Sequence, residues 1–224
     1  MASDDTSGAE RGLGRIEGFA DAVFAISITL LVVEIHPPGT FGGPPETHGL
    51  VAALLGEWRA YLGLAMSYGV IGLYWLRHHY SGRIYVKSDH IFSFLTLVFL
   101  AGVMCQAYPI RLWTGHLGRG VAADGRAAAI FLAWSLLVPG LGWLAKWLYA
   151  LQGRRLMDER LESGFLRQMT IHYSASAALL AAGALISLLA PLWGLALGLA
   201  VTAAYVLPPP RPRYVGADPG PEES

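Results

Sequence analysis

The chain has 224 residues, 54% hydrophobic and 14% charged, and its 16 Lys and Arg balance its 16 Asp and Glu. A soluble domain carries about 25% charged residues, and a neutral chain has no long-range field to draw in nucleic acid or an acidic partner. The single cysteine, Cys105, excludes an intrachain disulfide.

In chain order, residues 1–14 are polar and read as a cytoplasmic tail. The first apolar helix follows, Arg15 to Ile35. Its uncharged core, Ala22 to Val33, leads into Glu34 and Pro37-Pro38 rather than a small-residue cleavage site, so it reads as a retained helix and not a signal peptide. Five runs then contain no Asp, Glu, Lys or Arg: Ala60–Leu76, Ile91–Ile110, Ala127–Ala145, Ile171–Ala190 and Pro191–Leu207. Each approaches the ~20 residues that cross a ~30 Å hydrocarbon core as helix. The expected fold is therefore all-α, an integral membrane bundle of six transmembrane helices over residues 15–207. Pro191 marks a tight turn between the last two helices, and Pro139 with Gly140 and Gly142 suggests an unwound fourth helix. Residues 208–224, rich in Pro, Gly and Glu, read as a disordered cytoplasmic tail.

Six spans with the N-terminus inside put Arg11, Arg15, Arg77, Arg83, Lys87, Lys146, Arg154, Arg155, Arg160, Arg167, Arg211 and Arg213 on the inner side. Only Arg59, Arg111, Arg119 and Arg126 fall outside. This asymmetry places both termini in the cytoplasm and the chain in the cell membrane as a multi-pass protein. Trp75, Trp113, Trp143, Trp147, Tyr173 and Trp193 read as interface anchors near helix ends.

The first helix is anomalous. Ala22 to Val33 is only about 18 Å long as helix, so crossing brings Glu17, Asp21 and Glu34 to or near membrane depth. Charges there are costly and face protein, a water-filled path or the interface. At about 100° per residue, Ile26, Leu30 and Val33 share one stripe with Thr29 on its flank, while Asp21 points about 140° away from Ile26. Such a stripe suits ordinary packing as well as a pore lining.

The residues Arg15-Ile-Glu-Gly-Phe19-Ala20-Asp21 and the following AVFAISITLLVVEIHPP resemble the R-x-x-x-F-S-D motif and first helix of the transmembrane protein 175 family. Trp75-Leu-Arg-His78 resembles its W-x-x-H, and Gln106-Ala-Tyr-Pro109 its proline motif late in helix three. The resemblance implies a potassium-permeable channel, six helices per chain in a homotetramer, with helix one lining the central pore. Carried across, Ile26 forms the narrowest ring, Leu30 and Val33 the next layers outward, and Thr29 supplies hydroxyls to the ion. Glu34 sits at the outer mouth, as a cation attractor or simply a solvated helix end. Arg15, Phe19 and Asp21 with Trp75 and His78 are implied to form a structural network. The sequence departs from the motif at Ala20, where a serine is expected.

No cofactor is implied; potassium is the permeant ion, and the partners are the lipid bilayer, monovalent cations and other copies of the chain. Phosphate-binding and nucleophile motifs are absent, so no enzyme is expected. A secondary ion transporter is the first alternative, although no internal repeat is visible. A membrane metal-binding protein is the second. It would draw on His78, His79, His90 and His172, but adjacent histidines point about 100° apart on a helix.

Overall fold

The computed structural model describes residues 3–33, 35, 49–118 and 122–215, with side chains from residue 12 onward. Its described elements are helices α1 (Ser3–Val33), α2 (Gly49–Gly56), α3 (Trp58–Ser81), α4 (His90–Met104), α5 (Ala107–His116), α6 (Ala122–Leu151), α7 (Ser163–Leu189) and α8 (Pro191–Ala203), with two short 3-10 turns. Among the described residues four stretches are long and apolar enough to cross a membrane: Gly12–Val33, His90–His116, Ala122–Arg154 and Ser163–Leu189. The 24-residue α3 and the shorter apolar Pro191–Val206 lie beside them. Large apolar side chains such as Leu189, Trp193 and Ile171 are exposed around the outside, as lipid requires and water penalises.

Helix α6 is the centre. Helices α4, α5, α7 and α8 all pack on it, while α1 lies at the side against α3 and α4. Half of the most apolar stretch of α6 is buried, against 17% of that of α1. The core is aromatic: Tyr74 and Trp143 meet Phe99 edge-on, and Tyr173 meets Trp147 in the same way. Trp143, Trp147 and Tyr173 are therefore packing residues and not interface anchors. Position near a helix end could not distinguish the two roles.

Two prolines shape the bundle together. Pro109 lacks the N–H that would bond the Cys105 carbonyl, so the apolar run 91–110 is two helices, α4 and α5, joined where the Gln106 N–H bonds Val103 O at 3.0 Å. Pro139 likewise frees the Ser135 carbonyl, yet α6 continues through it. The expected unwinding at Gly140 and Gly142 is absent, because Gln106 Nε2 donates to Ser135 O at 2.8 Å and to Gly102 O at 3.0 Å. Ser135 Oγ returns a bond to Gln106 Oε1 at 3.2 Å. These glycines serve contact instead, for a Cβ at Gly142 would press on the Phe99 backbone and one at Gly140 on Leu180.

Pro191 opens α8 directly after Ala190, giving the tight turn its position suggested. Across that turn Gly183, Gly194 and Gly198 bring the α7 and α8 backbones together, and a Cβ at Gly194 would overlap Gly183 O and the Ser187 backbone.

At the other end of the bundle, Asp89 caps α4 by accepting the Phe92 N–H at 2.8 Å. It also accepts the Tyr149 hydroxyl at 2.6 Å and pairs with Arg155 at 2.9 Å, which ties α4 to the end of α6. The region read as a disordered tail begins in an ordered way. Glu162 N–H bonds Arg213 O at 2.9 Å and Val215 N–H bonds Arg160 O at 2.7 Å, holding the proline-rich segment across the base of α7. Residues 216–224 lie outside the described residues.

Candidate functional site

Helix α1 has two faces of opposite fate. Leu13, Ala20, Phe24 and Leu31 are buried, and their spacing places them on one stripe. Phe24 carries that stripe into the core, its ring 5.8 Å from His78 and 6.4 Å from Phe99. Ala20, where the motif has serine, is fully buried. The alanine needs no hydrogen-bond partner there, which a serine hydroxyl would.

Among the described residues nothing covers the opposite face. Ile26, Leu30 and Val33 are 57%, 56% and 72% exposed, and Thr29 is exposed beside them. The Thr29 hydroxyl donates to Ile26 O at 3.0 Å. That bond uses its proton and leaves oxygen lone pairs that can face an ion. Arg15 and Phe19 are exposed as well, and at about 100° per residue they continue the Ile26 stripe toward the N-terminus. Among the described residues neither touches α3 through a hydrogen bond or ion pair. Glu34 lies outside the described residues.

Asp21 sits at the edge between these faces. It accepts the Trp75 indole N–H at 3.0 Å, the one hydrogen bond between α1 and α3 among the described side chains. His78, one turn on from Trp75, is buried against Phe24, Phe99 and Trp143. His79 instead stacks on Trp75 at 5.6 Å. The two histidines therefore diverge as helix geometry requires. Of the motif residues, the structure joins Asp21 to Trp75 and packs His78 under Phe24, while Arg15 and Phe19 stay on the open face.

Sequence reading missed two cations as site-forming residues. Lys146 is 1% exposed, with its ammonium 4.4 Å from the Trp143 ring centre and within 5.3–5.7 Å of Tyr85, Phe92 and Phe99. Arg77 is 8% exposed and lies 4.1 Å over Tyr205 and 5.3 Å over Tyr173. Both are among the twelve cations that the sequence places on the inner side. The available signal was their place inside or at the edge of apolar runs, within reach of several aromatic residues.

Comparison with known proteins resolves what such a helix belongs to. The family described as the endosomal/lysosomal potassium channel TMEM175 matches residues 15–106, which hold the Asp21–Trp75 pair and the whole open face. A potassium channel of Chamaesiphon minutus is 32% identical over 160 residues, covering 71% of this chain and 76% of that one. The chain belongs to the TMEM175 family. A potassium channel of Streptomyces collinus is 30% identical over 161 residues, 72% of this chain and 75% of that one. The crystal structure of a lysosomal potassium-selective channel TMEM175 homolog from Chamaesiphon minutus superposes with a TM-score of 0.72 at 27% identity. It covers 88% of this chain and 97% of that one.

Proposed function

We propose that this TMEM175-family protein is a potassium-permeable cation channel whose ion path is lined by the open face of α1 from four copies of the chain. The observation that carries the reading is that face itself. Ile26, Thr29, Leu30 and Val33 are exposed in the single chain, yet they sit on a helix whose other face is locked into the bundle. Family membership and the names of the two bacterial relatives support potassium as the ion.

In this reading the six spans are α1, α3, the α4–α5 pair, α6, α7 and α8. Both termini are cytoplasmic in the cell membrane. Arg83, Lys87, Arg154, Arg155, Arg160, Arg167, Arg211 and Arg213 support that orientation, because they cluster around the end of the bundle that holds the α4 start and the α6 finish. Four Ile26 side chains form the narrowest ring, with Leu30 and Val33 as wider layers outward. A ring of branched aliphatic groups sheds water readily and closes by dewetting. An ion crossing it keeps part of its hydration shell or exchanges water for Thr29 oxygens. Potassium surrenders water more cheaply than sodium, so the ring favours potassium modestly. Glu34, four times repeated at the outer mouth, concentrates cations there.

Reconstitution in liposomes tests the class of function. A channel gives passive potassium flux that follows the membrane potential without saturating, and native mass measurement gives a four-chain particle. Saturable flux that requires a counter-ion establishes the carrier alternative and removes the proposal.

A further inference from the structure

We infer that the bundle holds a buried site for one small monovalent anion, of chloride size, built around Arg77. Arg77 lies on α3 and is 8% exposed. An arginine in a protein keeps its proton, so this is a permanent positive charge removed from water. Among the described residues no carboxylate pairs with it; the ion pairs present are Arg155–Asp89 and Arg160–Asp158. The rings of Tyr205 and Tyr173 lie under the guanidinium, which offsets part of its desolvation but supplies no counter-charge. Buried charges in folded proteins are paired.

The missing partner has a place to be. A nearly enclosed cavity of about 10 Å³ lies between α3, α6, α7 and the 3-10 turn Ala204–Val206, lined by Tyr74, Arg77, Trp143, Tyr173, Ser176 and Tyr205. That is room for a single occupant of about water size. Three buried polar atoms of its lining residues lack a well-formed hydrogen bond: Arg77 Nη2, Tyr74 Oη and Trp143 Nε1. The Tyr173 hydroxyl stands near Arg77 and Trp143, and the Thr202 hydroxyl near Tyr74, but neither of these neutral groups balances the charge of Arg77.

The donor set chooses the occupant. Guanidinium and indole nitrogens only donate, and a tyrosine hydroxyl donates as readily as it accepts. A water molecule accepts about two hydrogen bonds and must place two protons of its own, and it leaves the charge of Arg77 unbalanced. A halide accepts from all three donors and neutralises the guanidinium. Bound there, it ties α3, whose Trp75 holds Asp21 of α1, to α6 and α7.

The test uses the purified full-length protein in detergent at fixed ionic strength. Replacing potassium gluconate by potassium chloride raises the unfolding temperature by about 3 °C. In crystals soaked in bromide an anomalous peak appears in the cavity, within hydrogen-bonding distance of Arg77 Nη2. Tyr74→Phe removes one donor at nearly unchanged volume and Trp143→Phe removes another with a smaller ring, and each shrinks the chloride increment. Arg77→Gln abolishes the increment wherever the variant folds. An empty anomalous map at this cavity overturns the site. So does equal stability in the two salts, or a chloride increment of full size in both donor-deleted variants.

Discussion

Ile26, Thr29, Leu30 and Val33 are branched residues on a face that none of the described residues covers, while nearby on the same helix Asp21 is held by Trp75. The two roles are separable by substitution. Trp75→Phe keeps an aromatic ring at the position and removes the indole donor, so it loosens α1 from α3 without touching the open face. The expected result is a fall of about 3 °C in unfolding temperature, measured by intrinsic fluorescence in detergent, with the potassium-to-sodium flux ratio unchanged. A changed ratio would place Asp21 and Trp75 in the ion path itself. The stripe was legible in the sequence because helical periodicity fixes which residues share a face. That Arg15 and Phe19 extend it was equally available from spacing. Motif-based reasoning assigned them to the network, and the structure leaves them exposed beside the stripe.

At the scale of elements, distant polar residues decide how helices bend and join. Gln106 lies 29 positions from Ser135, so no local pattern reveals that one side chain bridges the break at Pro109 and the gap left by Pro139. Gln106→Leu leaves the Ser135 carbonyl buried without its donor, at a cost of about 2 kcal/mol. Thermal denaturation should detect it, and an unchanged midpoint would show that α6 carries Pro139 unaided. The latch between α4 and α6 gives a pH dependence. Burial pushes the Asp89 carboxyl up, but the Phe92 N–H, the Tyr149 hydroxyl and the Arg155 guanidinium outweigh it and hold the group below its ordinary 3.8. A carboxylate with a depressed folded value contributes stability above its unfolded value and loses that contribution as pH falls through the folded one. Asp89→Asn should therefore narrow the stability difference between pH 7 and pH 3, read as unfolding temperature at each. A difference as large as that of the parent protein would exclude the latch.

For the whole molecule, the apolar runs foretold the helices well because lipid and an apolar core both demand long uncharged segments. They could not tell which of those helices faces lipid, protein or an ion path. Trp143, Trp147 and Tyr173 sit near the ends of runs yet belong to the core. Arg77 and Lys146 were two of the twelve cations counted on the inner side, and both are buried among aromatic rings drawn from several helices. Such sites are written in tertiary packing, where residues far apart in sequence converge. The least buried of the four long apolar helices, α1, is the exception that the sequence did expose, because its short uncharged core forces Asp21 toward the membrane.

The central claim is that the face of α1 carrying Ile26 is the constriction of a potassium path. Potassium and sodium flux into proteoliposomes, compared between the parent protein and Ile26→Asn at matched protein content, tests it most directly. An amide ring holds water where an isoleucine ring sheds it, so the variant should pass potassium several-fold faster and discriminate less against sodium. Parent-like rates and selectivity in a correctly folded, four-chain Ile26→Asn particle would contradict the account.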